Sequence, residues 1–270
     1  MKRSRILILV LSFTYILTTW SQKPTLRIGT VFLNDGFSAA IQNRVVQGQQ
    51  MWQEEVNDRG GIVINGTEHL VEIIKVGVPQ FPLSASTNGT MELINQGVDF
   101  LLLPFSSERG ELGAIVANEH NINSIIPFAG TPSVYICDKV LRSPCAVPFG
   151  RRFKYSVGLT LPSVKHYTES LNLLASHGAR TVAIIWEDML ISNAVIEGAL
   201  RSISFQNLNI IYKKQIPFIA IPALRRNTMR PIVEEVKEKN PDIIVMATFF
   251  ACEDFIVLAK ELDFNANAYL

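Results

Sequence analysis

The chain has 270 residues, 48% hydrophobic and 18% charged, with a formal net charge of +1. Domains run to roughly 100–200 residues, so this length allows a well-buried core and two lobes. The near-neutral balance, with no basic stripe and no acidic tail, argues against a nucleic-acid partner.

The first residues read as a targeting segment. Met1-Lys2-Arg3-Ser4-Arg5 is a basic n-region, and Ile6 to about Leu17 is an apolar h-region. Thr19 and Ser21 are small residues before a cut at Gln22. An uncleaved anchor is the alternative, but the h-region is shorter than the ~20 residues a spanning helix needs. Residues 1–21 are therefore expected to be a signal peptide, with the mature chain on the extracellular side.

Leu26–Phe32 predicts the first strand. Ile41, Val45, Gly48, Trp52 and Val56 recur at helical spacing, and Gly48 is expected to pack closely on the sheet. The helix should end at Asn57-Asp58-Arg59-Gly60-Gly61, where glycine takes a left-handed position. Leu70–Val76 is a second strand, Ser84–Gln96 a second helix, and Val98–Leu103 a third strand. That strand stops at Pro104-Phe105 and opens into Ser106-Ser107-Glu108-Arg109-Gly110. A helix with Leu112, Ile115 and Val116 on one side follows, then the strand Ser124–Phe128 and its exit loop Ala129–Pro132.

Tyr135–Gly150, with two cysteines, breaks this rhythm and marks a lobe boundary. We expect lobe 1 over 22–148 and lobe 2 over 149–270. After it come a helix through Val164 and Leu174, the strand Thr181–Trp186, and a helix marked by Ile191, Val195, Ala199 and Ile203. Next are the strand Asn209–Gln215, a long loop over Pro217–Arg226, and a helix starting at Pro231. The strand Asp242–Ala247, a helix through Phe255 and Leu262, and the opening of a strand at Tyr269-Leu270 complete the order. Alternation of this kind predicts an α/β chain with parallel sheets covered by helices on both faces. The last strand is cut short, so the second lobe is expected to be incomplete.

Entry into the secretory route bears on two further features. Asn65-Gly66-Thr67 and Asn88-Gly89-Thr90 fit the N-glycosylation sequon, and both are read as loops. Cys137 and Cys145 bracket a short insert, where a disulfide is expected in an oxidising compartment, two free thiols being the alternative. Cys252 is left over as a buried or half-buried thiol.

Two adjacent strands end in small, hydroxyl-bearing loops, at Ser106-Ser107 and at Ala129-Gly130-Thr131. In an open α/β sheet ligands sit outside the carboxyl ends of the strands. Hydroxyls and free N–H groups there suit an oxyanion. The simpler reading is that Ser106-Ser107 caps a helix and Thr131 serves a turn. Trp186-Glu187-Asp188 faces either a cleft or solvent, and Asp35 is read as a turn former.

With these motifs in order, the chain resembles the type I periplasmic-binding-protein superfamily, which includes leucine/isoleucine/valine-binding proteins and receptor ligand-binding regions. The resemblance is carried by Ile28-Gly29, Gly48, Glu54–Ile62, Val98–Ser107, Ile126–Tyr135, Thr181–Asp188 and Glu197-Gly198. It implies two Rossmann-like lobes, a hinge near 145–155, and a small ligand in the cleft. It also implies that Ser106, Ser107, Ala129, Gly130 and Thr131 hold the α-amino and α-carboxylate groups of an amino-acid-like ligand. Phe250 stands where an aromatic closes over the ligand, and Trp186 joins it from lobe 2. Three departures stand out: Phe250 lacks the usual tyrosine hydroxyl, Leu190-Ile191-Ser192 replaces a Tyr-Gly, and the acidic partner of an amino group would lie beyond Leu270.

Catalysis finds little support. His69, His120, His166 and His177 are scattered, without metal-ligand spacing. There is no G-x-S-x-G elbow and no G-x-G-x-x-G after the first strand. We expect no cofactor and no metal. The expected function is an extracellular module binding an amino-acid-like molecule or organic anion, as a receptor's ligand-binding region. A receptor dimer and a downstream membrane domain outside this chain go with that reading. The alternatives are the substrate-binding protein of an ABC transporter and an α/β hydrolase-type enzyme.

Overall fold

Ile28–Leu33 is apolar at nearly every position, and β1 (Thr25–Leu33) lies inside the first sheet of the computed structural model. The structure describes residues 23–36, 38–135 and 153–270. The signal segment, the Cys137–Cys145 bridge and the lobe boundary at 148/149 lie outside the described residues. Cys252 is a half-buried free thiol.

The helix α1 (Ala39–Asp58) crosses back and ends as the Asn-x-x-Gly-Gly motif predicts. Gly60 and Gly61 take φ of 101° and 99°, and Gly61 N donates to Val56 O at 2.9 Å. The Asn57 amide then makes both bonds of a ladder with Val71, each at 2.8 Å. The expected packing face of α1 is a correction. Ile41 is 51% and Trp52 41% exposed, and a side chain on Gly48 would meet nothing within 4 Å. The face turned to the sheet carries Gln42 and Val56, with Gln49 donating to Thr30 and Gln53 accepting from Ile73 N. Polar side chains meet sheet-edge hydrogen-bond groups here, which a count of apolar spacing does not register.

A hairpin follows. β2 (Ile62–Ile64) pairs antiparallel with β3 (Thr67–Val78) around Asn65-Gly66, whose φ values are 49° and 80°. That is the two-residue turn Asn-Gly favours. The sequon at Asn65 thus sits on an exposed hairpin tip. The one at Asn88 is a correction: it lies inside the helix α2 (Ala85–Asn95), not in a loop. Asn88 is exposed, but Thr90 is fully buried and its hydroxyl donates to Ser86 O.

β4 (Phe100–Leu102) leads into α3 (Ser107–Glu119), then β5 (Asn123–Ile126) and the short α4 (Pro132–Tyr135). On α3 the buried positions are mostly small, including Gly110, Gly113, Ala114 and Ala117, while Leu112 and Ile115 are half-buried. A Cβ on Gly113 would stand 2.9 Å from Leu103, so the helix lies close on the sheet. β6 (Ser156–Gly158) adds to β5 at the edge, beyond the boundary expected at 148/149. The sheet order is β2-β3-β1-β4-β5-β6, parallel apart from β2.

A 3-10 turn (Ser163–Lys165) and α5 (Thr168–Ser176) precede β7 (Thr181–Glu187). The second half then alternates as α6 (Leu190–Phe205), β8 (Asn209–Ile216), α7 (Pro222–Lys239), β9 (Ile243–Ala247), α8 (Ala251–Glu261) and β10 (Ala268–Tyr269). Its sheet is fully parallel in the order β10-β9-β7-β8. Hydrophobic clusters cover both faces, one through α7 and α8 around Phe255, the other through α5 and α6 around Ile184. The expected loop over Pro217–Arg226 is a correction: α7 begins at Pro222 and carries Pro231 inside it. Proline suits the first helical turn, and Pro222 fills that place; Met229, Ile232 and Val233 bury the helix on either side of Pro231.

The two sheets repeat one device. Asp99 Oδ2 accepts Arg27 N at 2.8 Å, and Asp242 Oδ2 accepts Arg180 N at 2.8 Å. Each aspartate ties the start of its own strand to the start of the strand beside it. Among the described residues no helix is long and apolar enough to cross a membrane.

Candidate functional site

The carboxyl ends of the strands in both sheets face one cleft. A cavity of about 250 Å³ lies in it. Lobe 1 contributes the β3–α2 loop (Gln80, Phe81, Leu83) and the start of α3 (Phe105, Ser106, Glu108, Arg109). Lobe 2 contributes Asp188, Met189 and Leu190 from the β7–α6 loop, with Phe218 and Phe249. The walls are thus aromatic and aliphatic, with a cation on one side and carboxylates on either side.

Ser106 is the hinge of the lobe 1 wall. Its φ is 88° and ψ 154°, a conformation that costs a residue with a side chain about 1–3 kcal/mol. Its Oγ accepts Arg109 N at 3.4 Å and Arg109 Nη1 at 3.3 Å. Ser107 is buried and turns away from the cavity, where its Oγ accepts Gly130 N at 3.2 Å and Thr131 N at 3.4 Å. The two loops singled out in the sequence are therefore neighbours, bonded to each other. Neither serine hydroxyl has a histidine or carboxylate partner among the described residues.

Ala129, Gly130 and Thr131 are all buried. Ala129 O accepts Thr160 Oγ1, and Gly130 O accepts Ser163 N at 2.6 Å. A Cβ on Gly130 would lie 3.3 Å from Ile191 of α6, so lobe 2 stands directly over this loop. Trp186 is half-buried and lies outside the cavity lining. Its Nε1 donates to Asn193 Oδ1 at 2.9 Å, and Lys213 sits 5.5 Å above its ring. Phe250 also stands behind the lining, packed on Phe218 and Phe249 with Arg225 at 5.2 Å from its ring. Phe249, its neighbour, is the one that lines the cavity. Asp35 serves the loops, as read: its Oδ1 accepts Gln80 N at 2.5 Å.

Three charged groups stand at or behind these walls; of them the sequence drew attention to Glu187, within Trp186-Glu187-Asp188, of which Asp188 lines the cavity and Glu187 is buried behind it. Arg109 is buried, with Nη2 donating to Gln80 O at 2.5 Å and its guanidinium 5.7 Å from the Phe81 ring centre. Burial holds its pKa below the usual guanidinium value. Glu187 is fully buried at the end of β7, where Oε2 accepts Phe249 N at 2.7 Å at the start of α8. Burial raises its pKa, against these backbone donors and Arg225, which lower it. Arg225 is buried too and pairs with Asp254. A spacing of helix or strand residues carried no signal for Arg109 or Arg225, since each is placed by tertiary packing.

A second recess of about 270 Å³ lies on lobe 2 alone, between the start of α6 and the end of β9. Tyr167 lines it and donates to Met246 O at 2.6 Å, with its own pKa raised by burial. No group of histidine, cysteine and carboxylate side chains among the described residues could hold a metal ion.

No protein-family model matches this sequence, and no curated protein matches it. Solved structures do match. One is the solute binding protein of an ABC transporter from Rhodopseudomonas palustris BisB5, in complex with 3,4-dihydroxy benzoic acid. It superposes with a TM-score of 0.68 at 16% identity over 90% of this chain and 60% of its own. A second R. palustris solute binding protein, in complex with benzoate, gives 0.65 at 16% over 90% and 61%. An ABC transporter substrate-binding protein from Desulfitobacterium hafniense, in complex with Leu, gives 0.66 at 13% over 90% and 64%. This chain therefore spans about three fifths of the length of these binding proteins. With two helix-flanked parallel sheets meeting at their strand ends, and these structures matching along nine tenths of it, the chain has the fold of the type I periplasmic binding proteins.

Proposed function

We propose that this chain is an extracellular small-molecule-binding module that takes an amino-acid-like molecule or organic anion between its lobes. The observation that carries the proposal is the cavity at the carboxyl ends of the strands, lined from both sheets. Its aromatic walls suit an apolar body, and Arg109 and Asp188 supply opposite charges for a polar end. The benzoate and Leu complexes of the structural neighbours fit the same size of ligand. The basic and apolar start of the sequence and the exposed sequon at Asn65 support a location outside the cell, as the ligand-binding region of a receptor. A receptor dimer and a membrane domain elsewhere in a longer protein belong to that proposal. The substrate-binding protein of an ABC transporter is the second reading, favoured by what the neighbours are. The hydrolase reading has no base beside Ser106 or Ser107 among the described residues to support it.

The test is thermal unfolding against a panel of amino acids and aromatic and branched carboxylic acids. A ligand that binds only the folded state at 100 times its Kd stabilises it by about 2.7 kcal/mol. A shift with at least one compound is expected; no shift with any compound refutes the proposal.

A further inference from the structure

The chain buries two arginines in the described residues of its lobes, and they are treated differently. Arg225, 8% exposed, has the Asp254 carboxylate beside it. Arg109, 7% exposed, has neutral hydrogen-bond partners among the described residues: Ser106 Oγ and Gln80 O. Its Nε has no hydrogen-bond partner in the described structure. Among the described residues no carboxylate stands within ion-pair distance of it; Glu108, adjacent in sequence and also on the cavity wall, acts on it only through space. A buried cation without a counter-ion is costly, and a buried N–H without an acceptor adds to the cost.

Such a cost is retained where an incoming group removes it. Arg109 lines the cavity, on the first turn of α3, where the helix dipole also favours negative charge. Ser106, held at positive φ, fixes the turn that presents it, and backbone strain of this kind gathers at ligand clamps. The loop at Ala129–Thr131 is less suited to the task. Its N–H groups at Gly130 and Thr131 already bond Ser107, and Ile191 stands over it.

We propose that Arg109 is the charge-recognising residue of the cleft. Its guanidinium takes the anionic end of a monoanionic organic acid, whose apolar body lies against Phe105, Leu190, Phe218 and Phe249. This rests on the cleft-binding reading and adds to it the residue that selects the charge. Loss of the anion from the ligand, or of the fork from the protein, should remove the same selectivity. Charge-assisted hydrogen bonds are worth on the order of 10- to 100-fold in affinity.

The experiment is calorimetric titration of the full chain, R109Q and R109K with matched pairs: benzoate and benzamide, 4-methylpentanoate and 4-methylpentanamide. The native chain should bind a carboxylate on the order of 10- to 100-fold more tightly than its amide. R109Q should lose that ratio, and R109K should fall between. Carboxylate and amide binding alike to the native chain, or a folded R109Q that keeps the native ratio, overturns the inference and leaves the cleft-binding reading standing. If R109Q does not fold, as judged by circular dichroism, the native ratio and its fall in R109K decide it. No binding of these four probes or of the wider panel overturns the cleft-binding reading itself, and this inference with it.

Discussion

Gly198 and Gly48 lie in the middle of long helices, and the structure assigns them opposite signs on replacement by alanine. Alanine is favoured over glycine in a helix interior by about 1 kcal/mol. At Gly48 a Cβ meets nothing within 4 Å, so G48A should gain most of that amount. At Gly198 the added Cβ would stand 1.8 Å from Val164 O and 2.4 Å from Val164 C. Those are backbone atoms of the 3-10 turn, so no rotamer change relieves the overlap. Helix α6 and the turn have to part, and overpacking of this kind costs about 1–3 kcal/mol. Taking the upper end, and subtracting the propensity gain, leaves a net loss of about 2 kcal/mol. For a chain of this size that is a fall in Tm of about 4–8 °C. The displaced turn also carries Ser163, whose N–H holds Gly130 O, so the damage reaches the loop between the lobes. Thermal and urea unfolding of the native chain, G48A and G198A measure all of this. G198A unfolding at or above the native temperature would show that the two elements do not approach as described.

The buried Arg225–Asp254 pair predicts that D254A loses about 3–5 kcal/mol, because the remaining guanidinium is left uncompensated; urea unfolding of D254A tests it, and a loss below about 1 kcal/mol would contradict the burial. Asp242 takes the N–H groups of Arg180 and Thr181 and the Thr181 hydroxyl, which hold its pKa below the ordinary aspartate value. Its contribution, about 1 kcal/mol for a partly exposed group, is present above the ordinary pKa and lost as pH falls, so the gap between native and D242A should narrow on acidification. Glu187 runs the other way: its raised pKa favours the folded state at low pH, and that advantage is lost as pH rises through the carboxylate range to the raised value. The stability of the native chain relative to E187Q should therefore fall as pH rises above the ordinary glutamate pKa, and a rise instead in a pH series of unfolding curves would refute it.

Much of the fold was legible because its strands are apolar runs with clear ends. β1, β7 and β9 lie where strands were expected over Leu26–Phe32, Thr181–Trp186 and Asp242–Ala247. The errors have common causes. At Pro231 a residue that usually opens a helix stands inside one, because burial of Met229, Ile232 and Val233 outweighs the single missing N–H. On α1 the apolar spacing pointed at Ile41 and Trp52, while the contacts to the sheet are made by Gln49, Gln53 and Asn57. β6 is three residues long and gains its place only by pairing with β5.

At the candidate site, the neighbouring loops were legible in the sequence and their chemistry was not. Polar loops after adjacent strands drew attention to Ser106-Ser107 and Ala129–Thr131, which the structure brings into contact; small residues are needed where two loops touch. That same contact uses up what a ligand would want: Ser107 Oγ holds Gly130 N and Thr131 N, and Gly130 O holds Ser163 N. A loop selected for close packing and a loop selected for ligand N–H groups look alike in sequence, since both need glycine and hydroxyl residues. What separates them is whether the donors are spent, and only three-dimensional neighbours decide that. The donors left over belong to Arg109, whose place in the cleft follows from the Ser106 turn and the Gln80 carbonyl rather than from any spacing. In this chain Arg109 is the buried charge without an ion-pair partner among the described residues, and the satisfied small-residue loops are the frame around it.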